Sequence, residues 1–186
     1  MSHETNPVVQ ADSQHGDTGV TASLVPEVLC APTEDELRVA VGSQREDTAR
    51  LVFAFNKSAL AEAMRAIELT AVTVNYSGSG DEGMINEISF QPGSTQADSK
   101  LVRAARVVHL WHAETNTRSV SLVFEDADLF DLAADLCDRA IALCGHTGYE
   151  INDGGDGTFT LRADDAIAKL EHTDYFMESE TSVHEV

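Results

Sequence analysis

From Leu129 to Cys144 apolar residues recur every third or fourth position: Leu129, Leu132, Ala133, Leu136, Cys137, Ala140, Ile141 and Cys144. That spacing predicts one amphipathic helix with its apolar stripe buried. Asp126 is read as its N-cap, Asp128 as a carboxylate favoured by the positive end of the helix dipole, and Gly145 as the C′ stop. The opposite face carries Asp131, Asp135 and Asp138. Two weaker helical patterns come earlier. Thr33 and Glu36 make a capping box behind Pro32, followed by Leu37, Ala40, Val41 and Gln44, with Gly42 a weak point. From Thr48 to Glu68 the stripe is Leu51, Val52, Phe55, Leu60, Met64 and Ile67, with Asn56 and Ser58 as places where the helix breaks or restarts.

Elsewhere the period is two. Val72, Val74 and Tyr76 alternate with Thr73, Asn75 and Ser77; Met84, Ile88 and Phe90 alternate with Ile85, Glu87 and Ser89. The runs "ARVVHLWHA" and "RSVSLVFED" form another strand pair around "ETNT". On it His109 shares a half-buried face with Trp111, and His112 shares the other face with Leu110. "YEIN", "TFTLRA" and "AIAKLEH" read as short closing strands. The order helices, strands, helix, strands predicts an α+β fold: a largely antiparallel sheet covered on one face by helices, with acidic glycine-rich hairpin loops. Residues 1–32 read as a disordered polar arm, 33–177 as a single α+β domain, and 178–186 as a frayed acidic tail.

Charge alters the functional picture more than it alters the fold. The 186 residues hold 32 Asp and Glu against 12 Lys and Arg, a net charge of −20. Such a surface repels phosphate and anionic lipid, which argues against direct nucleic-acid or membrane binding and in favour of a basic protein partner. Ordinary solubility charge, adaptation to a salty cytoplasm and imitation of nucleic acid all fit. Cys30, Cys137 and Cys144 include no C-x-x-C and suit a reducing cytoplasm, with Cys137 and Cys144 packed as small hydrophobes. The N-terminus lacks the basic and apolar regions of a signal peptide.

Gly78, Gly80 and Gly83 spell G-x-G-x-x-G, the dinucleotide fingerprint. The fingerprint needs a helix next, whereas a period-two run ending in Pro92 follows, and Asp81 and Glu82 stand where phosphate would sit. The motif is therefore read as a hairpin turn whose glycines supply positive φ. A second loop, "INDGGDGTF", is read the same way. The functional alternative is a hard-cation site for Mg²⁺ or Ca²⁺ built from Asp81, Glu82, Asn152, Asp153 and Asp156, if the two loops converge. No cofactor is required by any motif. Among the histidines, His146 follows the Gly145 stop and complements the helix dipole, and His172 has Asp174 and Tyr175 nearby for a His–carboxylate pair. That pair lacks a nucleophile or ligand set, so the reading leans against an enzyme.

The stretch "LTAVTVNYSGSGDEGMINEISF", the long helix, "GYEINDGGDGTFTL" and "LEHTDYFMESETSVHEV" together resemble an uncharacterised bacterial and phage-associated domain family of unknown function, over about Leu51 to Val186. The resemblance implies that the two glycine loops belong together, through Gly78, Ser79, Gly80, Asp81 and Gly83 in the first and Asn152, Asp153 and Gly154 in the second. Tyr149 stands where the family usually has Trp. The resemblance brings no activity, but it implies carriage on plasmids, integrative elements or phages. Two functions remain open. One is an acidic accessory domain binding a protein partner, with Asp131, Asp135 and Asp138 on the interaction surface. The other is a divalent-metal-dependent hydrolase or ligand-binding protein using the acidic loops. The oligomeric state is open.

Overall fold

The computed structural model describes residues 20–22, 31–93, 97, 100–151 and 153–176. The elements are β1 (Val20–Ala22), α1 (Glu34–Gly42), α2 (Thr48–Ala66), β2 (Ala71–Ser79), β3 (Glu82–Gln91), β4 (Leu101–His112), β5 (Thr117–Asp128), α3 (Leu129–Leu143), β6 (Gly155–Arg162) and β7 (Ala168–Asp174). Every strand pair is antiparallel, and the fold is α+β. There are two sheets rather than one: five strands ordered β1-β7-β6-β2-β3, and a separate two-stranded ribbon, β4-β5. Strand β1 falls within residues 1–32, read from the sequence as a disordered arm. Cys30, Asn152 and the 178–186 tail lie outside the described residues. Among those described, no helix is long and apolar enough to cross a membrane.

One face of the larger sheet is apolar because its strands alternate. Val72 and Val74 on β2 stand opposite Leu161 and Phe159 on β6, which in turn stand opposite Ala168 and Leu170 on β7. The helical stripe of α3 (Leu132, Leu136, Cys137, Ala140 and Ile141) and Leu60 and Met64 of α2 join these residues in one core. Burial pushes the Cys137 thiol up to about 12, so it sits there as a neutral hydrophobe. On β3 the expected alternation changes phase. Asn75 pairs with Glu87 but Tyr76 with Ile85, so the extra residue Asn86 turns Ile85 as well as Ile88 toward the core and leaves Met84 exposed.

The helix ends follow from side-chain chemistry. Thr33 Oγ1 accepts from Glu36 N at 3.2 Å while Glu36 Oε2 accepts from Thr33 N at 2.7 Å, the expected capping box. α1 stops at Gly42, and Gln44, expected on its stripe, instead has φ 51. For α3 the cap is Asp128, whose Oδ1 accepts from Asp131 N at 2.7 Å. Asp126 is not the cap because β5 runs on to Asp128. The stop at Gly145, with φ +85, is as the sequence predicts.

Asn56 does not break α2; it lies fully buried within it. Its Nδ2 donates to Ala105 O at 3.0 Å and its Oδ1 accepts from Ala105 N at 2.8 Å. One amide side chain thus satisfies both backbone groups of a buried residue on β4 and ties the ribbon to the helix layer. Around it Leu37, Val52, Ala105, Phe55 and Phe124 form a second, smaller core. Replacing Asn56 with Leu leaves the Ala105 N–H and C=O buried without partners, at about 1–3 kcal/mol for each such group. Urea denaturation should therefore show Asn56→Leu less stable than wild type by at least about 2 kcal/mol. An unchanged midpoint would refute this role.

Candidate functional site

The two glycine loops do meet. The first is a two-residue hairpin: Ser79 pairs with Glu82, and Gly80 (φ +61) and Asp81 (φ +71) form the turn with two positive φ values. Gly78 and Gly83 serve a different purpose from the one expected. Neither has positive φ; a Cβ on Gly78 would stand 2.8 Å from Glu150 Cβ, and one on Gly83 would stand 2.7 Å from Tyr149 Oη. They form the floor on which residues 149–150 lie. Asp81 N donates to Glu150 O at 3.0 Å, pinning the two loops together.

"YEIN" is accordingly not a strand. Tyr149 N donates to His146 O and Ile151 N to Gly148 O, so the chain makes successive turns after α3, with Gly148 at φ +88. The second glycine loop therefore joins a helix to β6 rather than closing a hairpin between strands. This arrangement sets the Tyr149 ring edge-on to Tyr76, with centroids 5.1 Å apart, and brings His146 alongside His172, with centroids 4.1 Å apart.

At the centre is a row across three strands: Tyr76 on β2, Gly157 on β6 and His172 on β7 are register partners. In a sheet, residues two strands apart ordinarily have an intervening side chain between them. Here position 157 has none, and the Tyr76 ring lies over it; a Cβ there would come within 2.3 Å of Tyr76 Oη. The hydroxyl thus reaches His172 Nδ1 at 2.7 Å. His172 Nε2 lies 3.0 Å from Asp174 Oδ1, and His146 Nδ1 lies 3.8 Å from Asp174 Oδ2. His172 and Asp174, two residues apart on β7, share a strand face, so the His–carboxylate pair anticipated from the sequence is formed.

His146, His172 and Asp174 form a graded set, with side chains 18%, 1% and 47% exposed. Among the described residues, theirs are the side chains that gather three metal-ligating atoms within 4.8 Å of one another. Ligands on tetrahedral zinc, at about 2.0–2.2 Å from the ion, stand roughly 3.4 Å apart, and the three ligating atoms here lie within 4.8 Å of one another. Burial, then the neighbouring His172, holds the His146 imidazole below its ordinary pKa, favouring the neutral, metal-ligating form. Burial also raises the Tyr76 hydroxyl well above the usual tyrosine range, so it remains a neutral phenol. A phenol both donates and accepts, so it can serve either His172 tautomer.

Asp174 opens into a cleft of about 520 Å³ also lined by Tyr149, Ile151, Asp153, Tyr175 and Phe176. The carboxylates expected to hold a hard cation are placed differently. Asp81 and Glu82 are exposed on the hairpin, Asp153 lines the cleft, and Asp156 accepts from Tyr175 Oη at 2.7 Å. Although their loops converge, these four do not gather three oxygens as His146, His172 and Asp174 gather theirs. On α3, Asp131 and Asp138 are exposed, and Asp135 is paired with Arg139 at 2.6 Å. Partial desolvation of the Asp138 carboxyl, and then the neighbouring Asp135, raise its pKa. On the ribbon, Trp111 is 57% exposed rather than half-buried, and His109 is exposed too. The outer ribbon runs beyond the helices that cover its base. His112 bonds Ser119 Oγ at 2.7 Å.

Two substitutions should separate the row's parts. Tyr76→Phe leaves buried His172 Nδ1 without a partner and should cost about 1–3 kcal/mol in denaturant unfolding. Gly157→Ala drives a methyl against both the phenol and the Glu171 carbonyl, each 2.3 Å away, and should cost a comparable amount or more through overpacking, about 1–3 kcal/mol. Combined, the two should cost less than their sum, because each disrupts the same contact. Strict additivity would contradict the row as drawn.

No curated protein and no solved structure matches this sequence. Residues 52–186 match a family of unknown function, and their span includes both glycine loops, α3 and the His172 strand. The chain belongs to that family, DUF6878.

Proposed function

We propose that this protein is a divalent transition-metal-binding domain, with His146, His172 and Asp174 as ligands and one coordination position left toward the cleft. The observation that carries the reading is the two-nitrogen, one-carboxylate set graded from the buried His172 to the cleft-lining Asp174. Imidazole nitrogen suits Zn²⁺ and its neighbours, whereas Mg²⁺ and Ca²⁺ take oxygen. Three protein ligands leave tetrahedral zinc a fourth position for water or a bound molecule. The Tyr76 hydroxyl then acts on the ligand behind the metal. With Nε2 on the ion, Nδ1 carries the proton and donates to Tyr76 Oη, fixing ring orientation.

The test is thermal unfolding of the chelator-treated protein with Zn²⁺, Co²⁺, Mg²⁺ or Ca²⁺. At about a hundred times the Kd, a ligand stabilises by roughly 2.7 kcal/mol, a rise of several degrees for a chain of this size. Zn²⁺ and Co²⁺ should produce it, and Mg²⁺ and Ca²⁺ should not. His146→Gln and Asp174→Asn, both nearer the rim than His172, should remove the shift without lowering the metal-free midpoint. Asp81→Asn should retain it. No zinc shift, or a shift that survives both rim substitutions, would overturn the reading.

A second reading rests on the net charge of −20: an acidic accessory domain that binds a basic protein, with Asp131, Asp135 and Asp138 on the contact surface. The cysteine usage supports its placement in a reducing cytoplasm, and the family resemblance supports carriage by a plasmid, integrative element or phage. Binding to a cationic test protein such as cytochrome c should weaken steeply with salt and weaken further in Asp131→Asn, Asp138→Asn. Equal binding by that variant would remove α3 from the contact.

A further inference from the structure

The cleft beside Asp174 has built walls. Tyr175 N donates to Gly154 O at 2.9 Å and its hydroxyl donates to Asp156 Oδ2 at 2.7 Å, so the residue is held at both ends. Tyr149 is set by its edge-on contact with Tyr76, and Ile151 by the turn in which its N–H donates to Gly148 O at 3.0 Å. Ile151, Tyr175 and Phe176 are nonetheless 51%, 48% and 80% exposed. Apolar side chains exposed singly need no explanation, but several lining one cleft rimmed by polar groups mark a binding groove. At about 520 Å³ the cleft is of the size that takes a small molecule.

Charge selects the occupant. This end of the sheet is built from residues 71–91, 140–161 and 170–176, which hold eight Asp and Glu and not one Lys or Arg. The cations flanking these segments are engaged elsewhere: Arg139 by Asp135, Arg162 by Asp164 and Asp165, and Lys169 by Glu171. Such a field draws in cations and repels anions. Desolvation, then the carboxylates of Asp138 and Glu150, raises the Tyr149 hydroxyl above its ordinary pKa, and the hydrogen bond to Asp156 does the same for Tyr175. Both rings therefore stay neutral phenols.

The walls narrow the choice further. A second inorganic cation would use carboxylate oxygens and leave the aromatic and aliphatic surface without a role. A neutral apolar molecule would strip water from Asp153 and Asp174 without supplying a partner. An organic cation satisfies both: its charge replaces water at the carboxylates, its hydrocarbon covers the apolar walls, and aromatic faces attract an ammonium directly.

We propose that this cleft is a binding site for a small organic cation, an alkylammonium with an apolar body. Asp153 and Asp174 are its counter-ions, and Tyr149, Ile151, Tyr175 and Phe176 are its walls. The assignment stands whether or not a metal is bound; in the metal-loaded protein Asp174 is a ligand and Asp153 remains as the counter-ion.

The experiment is an NMR titration of the chelator-treated full chain at low ionic strength with phenethylammonium, phenethyl alcohol and phenylacetate. These share one body and differ in charge. Phenethylammonium should shift the amides of Ile151, Gly154 and Tyr175 with a Kd of about 1–10 mM, as expected of so small a ligand. The alcohol should bind at least about tenfold more weakly, and phenylacetate not measurably. Asp153→Asn should weaken the ammonium several-fold and leave the alcohol unchanged. Phe176→Ala, at a side chain exposed enough to be removed without cost to the fold, should weaken both. Absence of ammonium binding, equal binding of phenylacetate, or binding untouched by both variants would overturn the proposal. Tighter binding of Nα-acetyl-lysinamide than of phenethylammonium would move the ligand to a basic side chain and overturn the small-molecule assignment. Because the titration is metal-free, its failure leaves the zinc test standing, and the absence of a zinc shift leaves this one standing.

Discussion

The hydrogen bond from the Tyr76 hydroxyl to His172 Nδ1 is the contact on which the candidate site depends. It joins two strands that are not neighbours, across a strand that contributes no side chain at the crossing point. The bond is buried, so its loss would strand polar atoms away from water, and that penalty keeps the row in register. Everything nearer the cleft is hung from it. His172 is oriented by Tyr76, Asp174 is within hydrogen-bond reach of His172, and His146 packs against the His172 ring.

The loops contribute space rather than ligands. Gly78 and Gly83 allow the segment after α3 to settle onto the β2–β3 hairpin, and that close approach brings His146 and Tyr149 to the end of the sheet. A larger residue at either glycine would lift residues 149–150 and displace His146 with them. The glycine pattern shared by the two loops is thus a packing device, and the chemistry it serves lies on neighbouring elements. Meanwhile Asp81 and Glu82 on the first loop are exposed, where they add to the field that a basic surface would meet.

Much of the fold was legible in the sequence because one buried face imposes one period. The stripe from Leu129 to Ile141 and the alternation of Val72, Val74 and Tyr76 each declare their element without reference to the others. The errors came where an element's fate depends on distant neighbours. Asn56 looks like a helix breaker until Ala105 is beside it. "YEIN" looks like a strand until Tyr149 finds Gly78 and Gly83 beneath it. Of the site, the His172–Asp174 pair was readable from the closeness of the two residues in sequence, and β7 runs on to Asp174 to set both on one strand. The contributions of His146 and Tyr76 were not readable, because they arise from the β2–β6–β7 register and from the turn after Gly145. A histidine following a helix stop and a glycine at a strand's third position were the available signals, and neither points to a partner on its own.

On the proposed reading, His172 would hold a metal through Nε2 while its Nδ1–H donates to the Tyr76 hydroxyl. Long-range nitrogen–proton NMR of the imidazole rings reads both nitrogens of His172 directly. Without metal, the geometry predicts Nε2–H donating to Asp174 and Nδ1 accepting from Tyr76; on adding zinc, the proton should move to Nδ1 and Nε2 should show the shift of a metal-bound nitrogen. A His172 spectrum unchanged by saturating zinc would contradict the account.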